Sequence, residues 1–251
     1  MTSYQNKNNT YDNIAESYEL TEFSIAKKYS YSPTFVSLCK GVKNKRIIDI
    51  ACGSGYSTRL LVENYHPKNV VGLDASKKMI DLAVEHEREN PLGIKYFCGK
   101  VTEFDFNLVK PIDAVTALFL LHYAQSKEEL LSMCKAIYGA LPSGGKFISV
   151  TSNSEYPEMI YKKYEVTSRM KKMEEGASRI VTYWKDGKKL CSFENYYWKV
   201  NTLKKSLKQV GFRKIIFHKA IISSEGYKLF GKNFWNGYLK KPHIIGIICI
   251  K

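Results

Sequence analysis

From residue 46 onward the apolar positions follow two alternating rhythms. Arg46–Ile50, Asn69–Leu73, Ile94–Cys98, Ala114–Leu120 and Lys146–Thr151 are short, mostly apolar runs that predict buried strands. Between them lie stretches at helical spacing. Ser57–Asn64 starts one helix, and Ser76–Arg88 puts Met79, Ile80, Ala83 and Val84 on one face with charged residues opposite. Lys127–Leu141 predicts a third, stopped by Pro142. That succession implies the α/β class, with a parallel sheet covered on both faces. Upstream, Tyr11–Glu19, Leu20–Lys28 and Ser32–Lys40 read as short helices. After residue 151 the rhythm changes. Glu158–Glu175 predicts a helix, and Arg179–Trp184 and Lys188–Phe193 alternate around a hairpin turn at Lys185-Asp186-Gly187. Asn201–Val210 is an amphipathic helix ended by Gly211. Lys214–His218 and Ile244–Ile250 close the chain as strands, the last apolar enough to belong inside the main sheet.

Composition narrows the class. The 251 residues are 44% hydrophobic, enough for a core, so global disorder is excluded. The longest apolar run, Ala114 to Leu121, is too short to span a bilayer. The opening MTSYQNKNNT lacks the basic-then-apolar order of a secretory signal. Six scattered Cys without a CxxC pair read as thiols in a reducing compartment, so the expected location is cytoplasmic. The formal charge of +15 raises nucleic acid as a partner. However, 33 of the 39 basic residues are Lys, and residues 1–150 carry 18 basic against 16 acidic groups. The surplus therefore sits in residues 151–251, with 21 basic and 8 acidic groups. A Lys-rich solvated surface accounts for it first. A basic substrate region comes second, and RNA or another polyanion third.

The chemistry concentrates at Asp49-Ile-Ala51-Cys-Gly53-Ser-Gly55, where a buried strand ends, turns tightly and enters a helix. Glycines there let a ligand approach the backbone. Asp74 follows Gly55 by 19 residues at the end of the next strand, where a carboxylate can accept both ribose hydroxyls of an adenosine. A pyrophosphate would be repelled by Asp49, whereas a cationic amino-acid moiety would be attracted. The set Asp49, Gly53, Gly55 and Asp74 therefore favours S-adenosyl-L-methionine over a nicotinamide dinucleotide.

These residues resemble the first motif of the class I S-adenosylmethionine-dependent methyltransferases, with Ala51 where the family has its first glycine. Asp74-Ala75, Ser76 and Met79 resemble the second motif. Asp113 to Tyr123 resembles the fourth-strand motif, Pro142–Gly145 the turn before strand five, and Tyr11-Asp-x-x-Ala15-x-x-Tyr18 the family's N-terminal lid. The resemblance implies a Rossmann-like, seven-stranded, mostly parallel sheet with helices on both faces. It implies a helical lid over 1–42, a cofactor-binding core over 43–151, a small antiparallel substrate cap over 152–200, and closing elements over 201–251, all one domain. The position that usually supplies an adenine-binding Asp reads Gly99-Lys100-Val101, which leaves the adenine to backbone and to packing from Met79 and Val101. The wording Asn90–Tyr96, Leu120–Ala124 and Pro142–Phe147 resembles toxoflavin-biosynthesis-type small-molecule N-methyltransferases, which implies a nitrogen-heterocycle acceptor.

On that resemblance the cofactor site comprises Tyr18, Asp49, Ala51, Gly53, Gly55, Asp74, Ala75, Met79, Val101, Leu118 and Phe119. His122 and Tyr123 lie just past the fourth strand and face the methyl donor in family members. His122 is a base or orienter there, or a satisfied hydrogen-bonding histidine; Tyr18, Leu118 and Phe119 read equally as core. The aromatic group Tyr183-Trp184, Phe193 and Tyr196-Tyr197-Trp198 either fills a sheet or receives a planar heteroaromatic acceptor. The histidines share no spacing with carboxylates or Cys that would indicate a metal.

Overall fold

The computed structural model describes residues 11–251. The first ten residues of the expected lid lie outside the described residues. Short helical turns α1 (Ala15–Glu19) and α2 (Ser32–Leu38) lead into a run of alternating elements. These are β1 (Arg46–Ile50), α3 (Tyr56–Tyr65), β2 (Asn69–Asp74), α4 (Lys77–Glu89), β3 (Lys95–Cys98), β4 (Ala114–Leu118), α5 (Lys127–Ala140) and β5 (Lys146–Ser152). The chain then forms β6 (Val166–Met170), β7 (Ser178–Lys185), β8 (Lys188–Tyr196), α6 (Val200–Gln209), β9 (Lys214–Lys219), α7 (Ser224–Lys240) and β10 (Ile244–Ile250).

Seven strands form one sheet in the order β3-β2-β1-β4-β5-β10-β9. β1 pairs in parallel with β2 on one side and β4 on the other, so chain progression reverses beside β1. An open α/β sheet has its ligand crevice at the carboxyl end of that reversal. β10 runs antiparallel to both β5 and β9. Alternation along the strands feeds two cores. Ile48, Ile50, Val71, Leu73 and Val115 pack with Leu130 and Ile137 of α5, while Ile47, Val70 and Ile148 join Leu61 of α3 and Phe35 of α2. Ser76 and Ser126 cap α4 and α5 by accepting from the backbone N–H of Met79 and Glu129, each at 3.2 Å.

The small antiparallel sheet has the order β6-β7-β8. Its inner face carries Arg179, Val181 and Tyr183 of β7 opposite Asn195, Phe193 and Cys191 of β8. The helix expected over Glu158–Glu175 does not form. Val166–Met170 is instead a strand paired with β7, because its β-branched start buries Val166, Thr167 and Ser168 in succession rather than at helical spacing. The fourth strand stops at Leu118, two residues short of the expected Leu120, because Phe119 turns to φ 71°. Helix α7 has no counterpart in the sequence reading: Gly231, at φ 72° and ψ 161°, kinks it and breaks its apolar period.

Candidate active site

The turn after β1 is held from below and from the side. Below it, Asp49 is fully buried and accepts three hydroxyl hydrogen bonds, from Ser57 (2.7 Å), Thr58 (2.8 Å) and Thr116 (2.7 Å). Burial pushes its carboxyl pKa up, and the three hydroxyls pull it back. These bonds tie the end of β1 to the start of α3 and to β4. From the side, Asp74 accepts from the backbone N–H of Gly53 and of Ser76, each at 2.9 Å and each on a different oxygen. Burial raises its pKa and the two N–H groups oppose the rise. Each oxygen keeps acceptor capacity beyond its one backbone donor.

The turn conformation is demanding. Ala51 and Gly53 both sit at φ 57°, and Gly55 at φ 90°. A Cβ on Gly55 would lie 2.9 Å from Cζ of Tyr96, and a Cβ on Gly72 would lie 2.7 Å from Cε1 of the same ring. Tyr96 of β3 is thus received by two glycines, one in the turn and one in β2.

Beside this turn opens a cavity of about 620 Å³. Ala51, Asp74, Val101, Leu120, Tyr123 and Met133 are among the residues that line it. Among the described residues its charged lining is one-sided: Asp74, Glu103, Glu129 and Glu194 against Lys100. Such a wall favours a cation and repels phosphates. The volume suits a nucleoside-sized ligand, the apolar side suits a planar base, and the paired oxygens of Asp74 suit a diol. The residues present therefore fit S-adenosylmethionine.

The N-terminal segment closes over this region. Ser76 donates to Asp12 at 2.5 Å, so a carboxylate from that segment sits at the N-terminus of α4. Ser54 of the turn donates to Glu22 at 3.1 Å. Tyr11 lines the cavity and is hydrogen-bonded to Tyr123.

Behind Tyr123 is a second, smaller chamber of about 30 Å³. Tyr18, Tyr31, Tyr183 and Phe193 give it aromatic walls, with His122 and Arg179 among them. His122 is 4% exposed, and its Nδ1 is 3.2 Å from both Thr151 Oγ1 and Ser152 Oγ. Burial, and then the charge of Arg179, push its pKa well below the usual histidine value. It is therefore neutral at physiological pH.

Residues 47–145 match the family described as a methyltransferase domain. Among solved structures, an S-adenosylmethionine-dependent methyltransferase from Mesorhizobium loti aligns over 92% of this chain and 99% of its own, at 18% identity and TM-score 0.62. One from Clostridium acetobutylicum covers 98% and 99%, at 19% identity and TM-score 0.63. This is the S-adenosylmethionine-dependent methyltransferase fold. The ubiquinone biosynthesis O-methyltransferase of Coxiella burnetii is 28% identical over 120 residues, 48% of this chain. The chain spans about half the length of that curated relative, 49%.

Within this methyltransferase fold the residues singled out from sequence divide into three groups. Ala51, Asp74, Ala75, Val101 and Tyr123 line the large cavity. Tyr18, Phe119 and His122 line the small chamber, with Tyr123 common to both. Gly53 and Gly55 shape the turn, while Asp49, Met79 and Leu118 are turned into the interior. Met79, expected against an adenine, lies on the buried face of α4 at 1% exposure and is not among the residues that line the cavity. Of the aromatic group, Tyr183 and Phe193 face the chamber and Tyr196 the large cavity, whereas Trp198 enters the core and donates to the Ala124 carbonyl at 2.9 Å. Lys100, set aside in the sequence reading, lines the large cavity. The acidic lining and Arg179 were missed as well. A signal for Arg179 existed, since it shares the inward phase of its strand with Val181 and Tyr183. Among the described residues no group of three His, Cys, Asp or Glu could hold a metal, and no helix is long and apolar enough to cross a membrane.

Proposed function

We propose that the chain is a class I S-adenosylmethionine-dependent methyltransferase whose acceptor is a small molecule, a planar nitrogen heterocycle methylated on nitrogen. The acidic lining of the large cavity carries the reading of the donor: among the described residues four carboxylates and one ammonium suit a molecule that bears a sulfonium and an ammonium but no phosphate. The match of residues 47–145 to the methyltransferase domain supports the methyl-transfer part of the reading independently.

When bound, S-adenosylmethionine supplies an electrophilic methyl group on sulfur. The chain's own residues do the rest. Asp74 accepts the ribose hydroxyls through the lone pairs its backbone partners leave free. Asp49 holds the turn rigid from beneath. Tyr11, bonded to Tyr123, separates donor space from acceptor space, and the N-terminal segment acts as a lid that excludes water. Rate acceleration then rests on collinear positioning. A heterocyclic nitrogen of low basicity presents its lone pair without deprotonation, which agrees with His122, the imidazole lining the chamber with Arg179, being held well below the usual histidine pKa by burial. Tyr123 is itself a neutral phenol, its pKa pushed up by burial.

Calorimetry with S-adenosylhomocysteine and with NAD tests the proposal. Binding of the first in the micromolar range, with NAD much weaker, is expected. Comparable affinities would overturn it.

A further inference from the structure

Arg179 is 3% exposed, and no Asp or Glu among the described residues forms an ion pair with it. Its Nε donates to Asn195 Oδ1 at 2.9 Å, its Nη1 to the Pro157 carbonyl at 3.2 Å, and its Nη2 to Ser152 Oγ. All three partners are uncharged. The charges that bear on it are those its neighbours Tyr31, Tyr123 and Tyr183 would carry if ionised. Burial holds each of these phenols neutral. The two histidines of the chamber, His122 and His243, are also held neutral by burial and by Arg179. Residues 1–10 contain no Asp or Glu. A full positive charge is thus buried without a counter-charge among the described residues, an arrangement that is unfavourable in a protein interior.

Lys27 gives the contrast. It is 4% exposed and donates to Thr21 Oγ1 at 3.2 Å, but Glu22 lies within its field and offsets its burial. Arg179 has no such neighbour.

The guanidinium is also preorganised. Asn195 and the Pro157 carbonyl fix its plane, and among the described residues its three hydrogen bonds leave one N–H on each terminal nitrogen without a partner. A carboxylate is the anion that can accept from such guanidinium N–H groups. The chamber before it, about 30 Å³, has room for about two water-sized groups at about 10–15 Å³ each. A carboxylate suits that space better than a phosphate.

We infer that Arg179 is an acceptor-binding residue, and that the molecule methylated carries a carboxylate, which enters the aromatic chamber and pairs with this guanidinium. The inference rests on the methyltransferase reading for the role of the bound molecule, but the anion site stands on geometry of its own. The two neighbouring spaces then carry opposite character, an acidic cavity for a cationic donor and a cationic chamber for an anionic acceptor. Tyr11 and Tyr123 lie between them. Tyr11 packs on Tyr18 and Phe193 of the chamber at ring-centroid distances of 4.8 and 5.4 Å, so a ring attached to the carboxylate displaces Tyr11 as it enters.

Binding of matched acid and amide pairs tests this on the whole chain, with and without S-adenosylhomocysteine. The pairs are formate and formamide, benzoate and benzamide, nicotinate and nicotinamide. At least one acid should bind about tenfold or more tighter than its amide, the usual reward for a charge-assisted pair. Arg179→Met should abolish the preference and Arg179→Lys should keep part of it, with S-adenosylhomocysteine affinity unchanged in both. Equal binding of acids and amides in the unsubstituted protein, or no acid binding at millimolar concentration, overturns the inference without needing a variant. A preference that survives Arg179→Met overturns it as well. Failure of S-adenosylhomocysteine to bind would sink the methyltransferase reading instead, and the acid preference would still be readable.

Discussion

The backbone N–H of Gly53 donates to the Asp74 carboxylate across 2.9 Å, joining the turn after β1 to the end of β2. The bond makes Asp74 a structural acceptor as well as a ligand group, so its two roles should separate by substitution. Asp74→Asn keeps a carbonyl oxygen for Gly53 but cannot accept on both sides. Its affinity for S-adenosylhomocysteine should fall about tenfold to a hundredfold, with the folding midpoint nearly unchanged. Asp74→Ala should lose both. Calorimetry and thermal denaturation on the two variants read the difference, and an Asn variant that binds normally would remove the ribose assignment.

The turn itself carries a conformational cost that one atom sets. Ala51 adopts φ 57°, in the left-handed region where a Cβ costs about 1 kcal/mol or more. Ala51→Gly should therefore stabilise the fold by up to about 1 kcal/mol, less whatever the freer unfolded chain takes back. Gly55→Ala should do the reverse, by about 2 kcal/mol or more, because the strained φ is joined by a collision with Tyr96. Tyr96→Phe removes a buried hydroxyl that has no partner, and should restore part of that loss. Chemical denaturation of the two single variants and of the Gly55–Tyr96 double variant measures all three.

How much of this was legible beforehand follows from range of interaction. Strands β1 to β5 and β10 are short, mostly apolar runs, and Ser76 and Pro142 punctuate helices locally, so pattern alone reached them. The cofactor turn was legible because Asp49, Gly53, Gly55 and Asp74 mark a conformation and a ligand at fixed short spacing. Val166–Met170 was not, since its short β-branched start, Val166-Thr167, is too brief a signal alone and becomes a strand by pairing with β7. Helix α7 was hidden by the three glycines inside it, Gly226, Gly231 and Gly237. Asp49 was legible as an acid at the turn, but its three hydroxyl partners come from α3 and β4 and set it under the turn rather than in the cavity. The acidic lining is assembled from loops and strands as far apart as Asp74 and Glu194, a relation no window along the chain contains.

Acid should weaken the protein partly through one carboxylate at the far end of the sheet. Arg46 donates to Asp113 from its backbone N–H (2.9 Å), from Nε (2.8 Å) and from Nη2 (2.6 Å), which lowers the Asp113 pKa to about 2. An unfolded Asp titrates near pH ~3.9. Because the folded value is the lower one, the stabilisation is fully present above the unfolded value and is lost as pH falls from about 4 through about 2. The pair is partly solvent-exposed, with side-chain exposures of 35% and 23%, so its share is modest. Asp113→Asn should flatten the stability curve across that window and leave it parallel to the parent above pH ~5. Denaturation midpoints over a pH series check this; an unchanged acid slope would remove the pair from the account.

His122 offers the sharpest test of how the methyl group moves. Its imidazole is buried, bonded through Nδ1 to the Thr151 and Ser152 hydroxyls, and neutral well below the usual histidine range. A base that must gain a proton in turnover works best with a pKa near the working pH, and this one is displaced far to the acid side. The expected role is therefore to position Ser152, which in turn accepts from Arg179. His122→Asn keeps a hydrogen-bonding group there. It should raise the acceptor KM more than it lowers kcat, and should leave no ionisation missing from the rate profile between pH ~6 and ~8. A loss of kcat by a factor of ~100 or more, accompanied by disappearance of an ionisation in that range, is the signature of general-base catalysis and would restore His122 to that role.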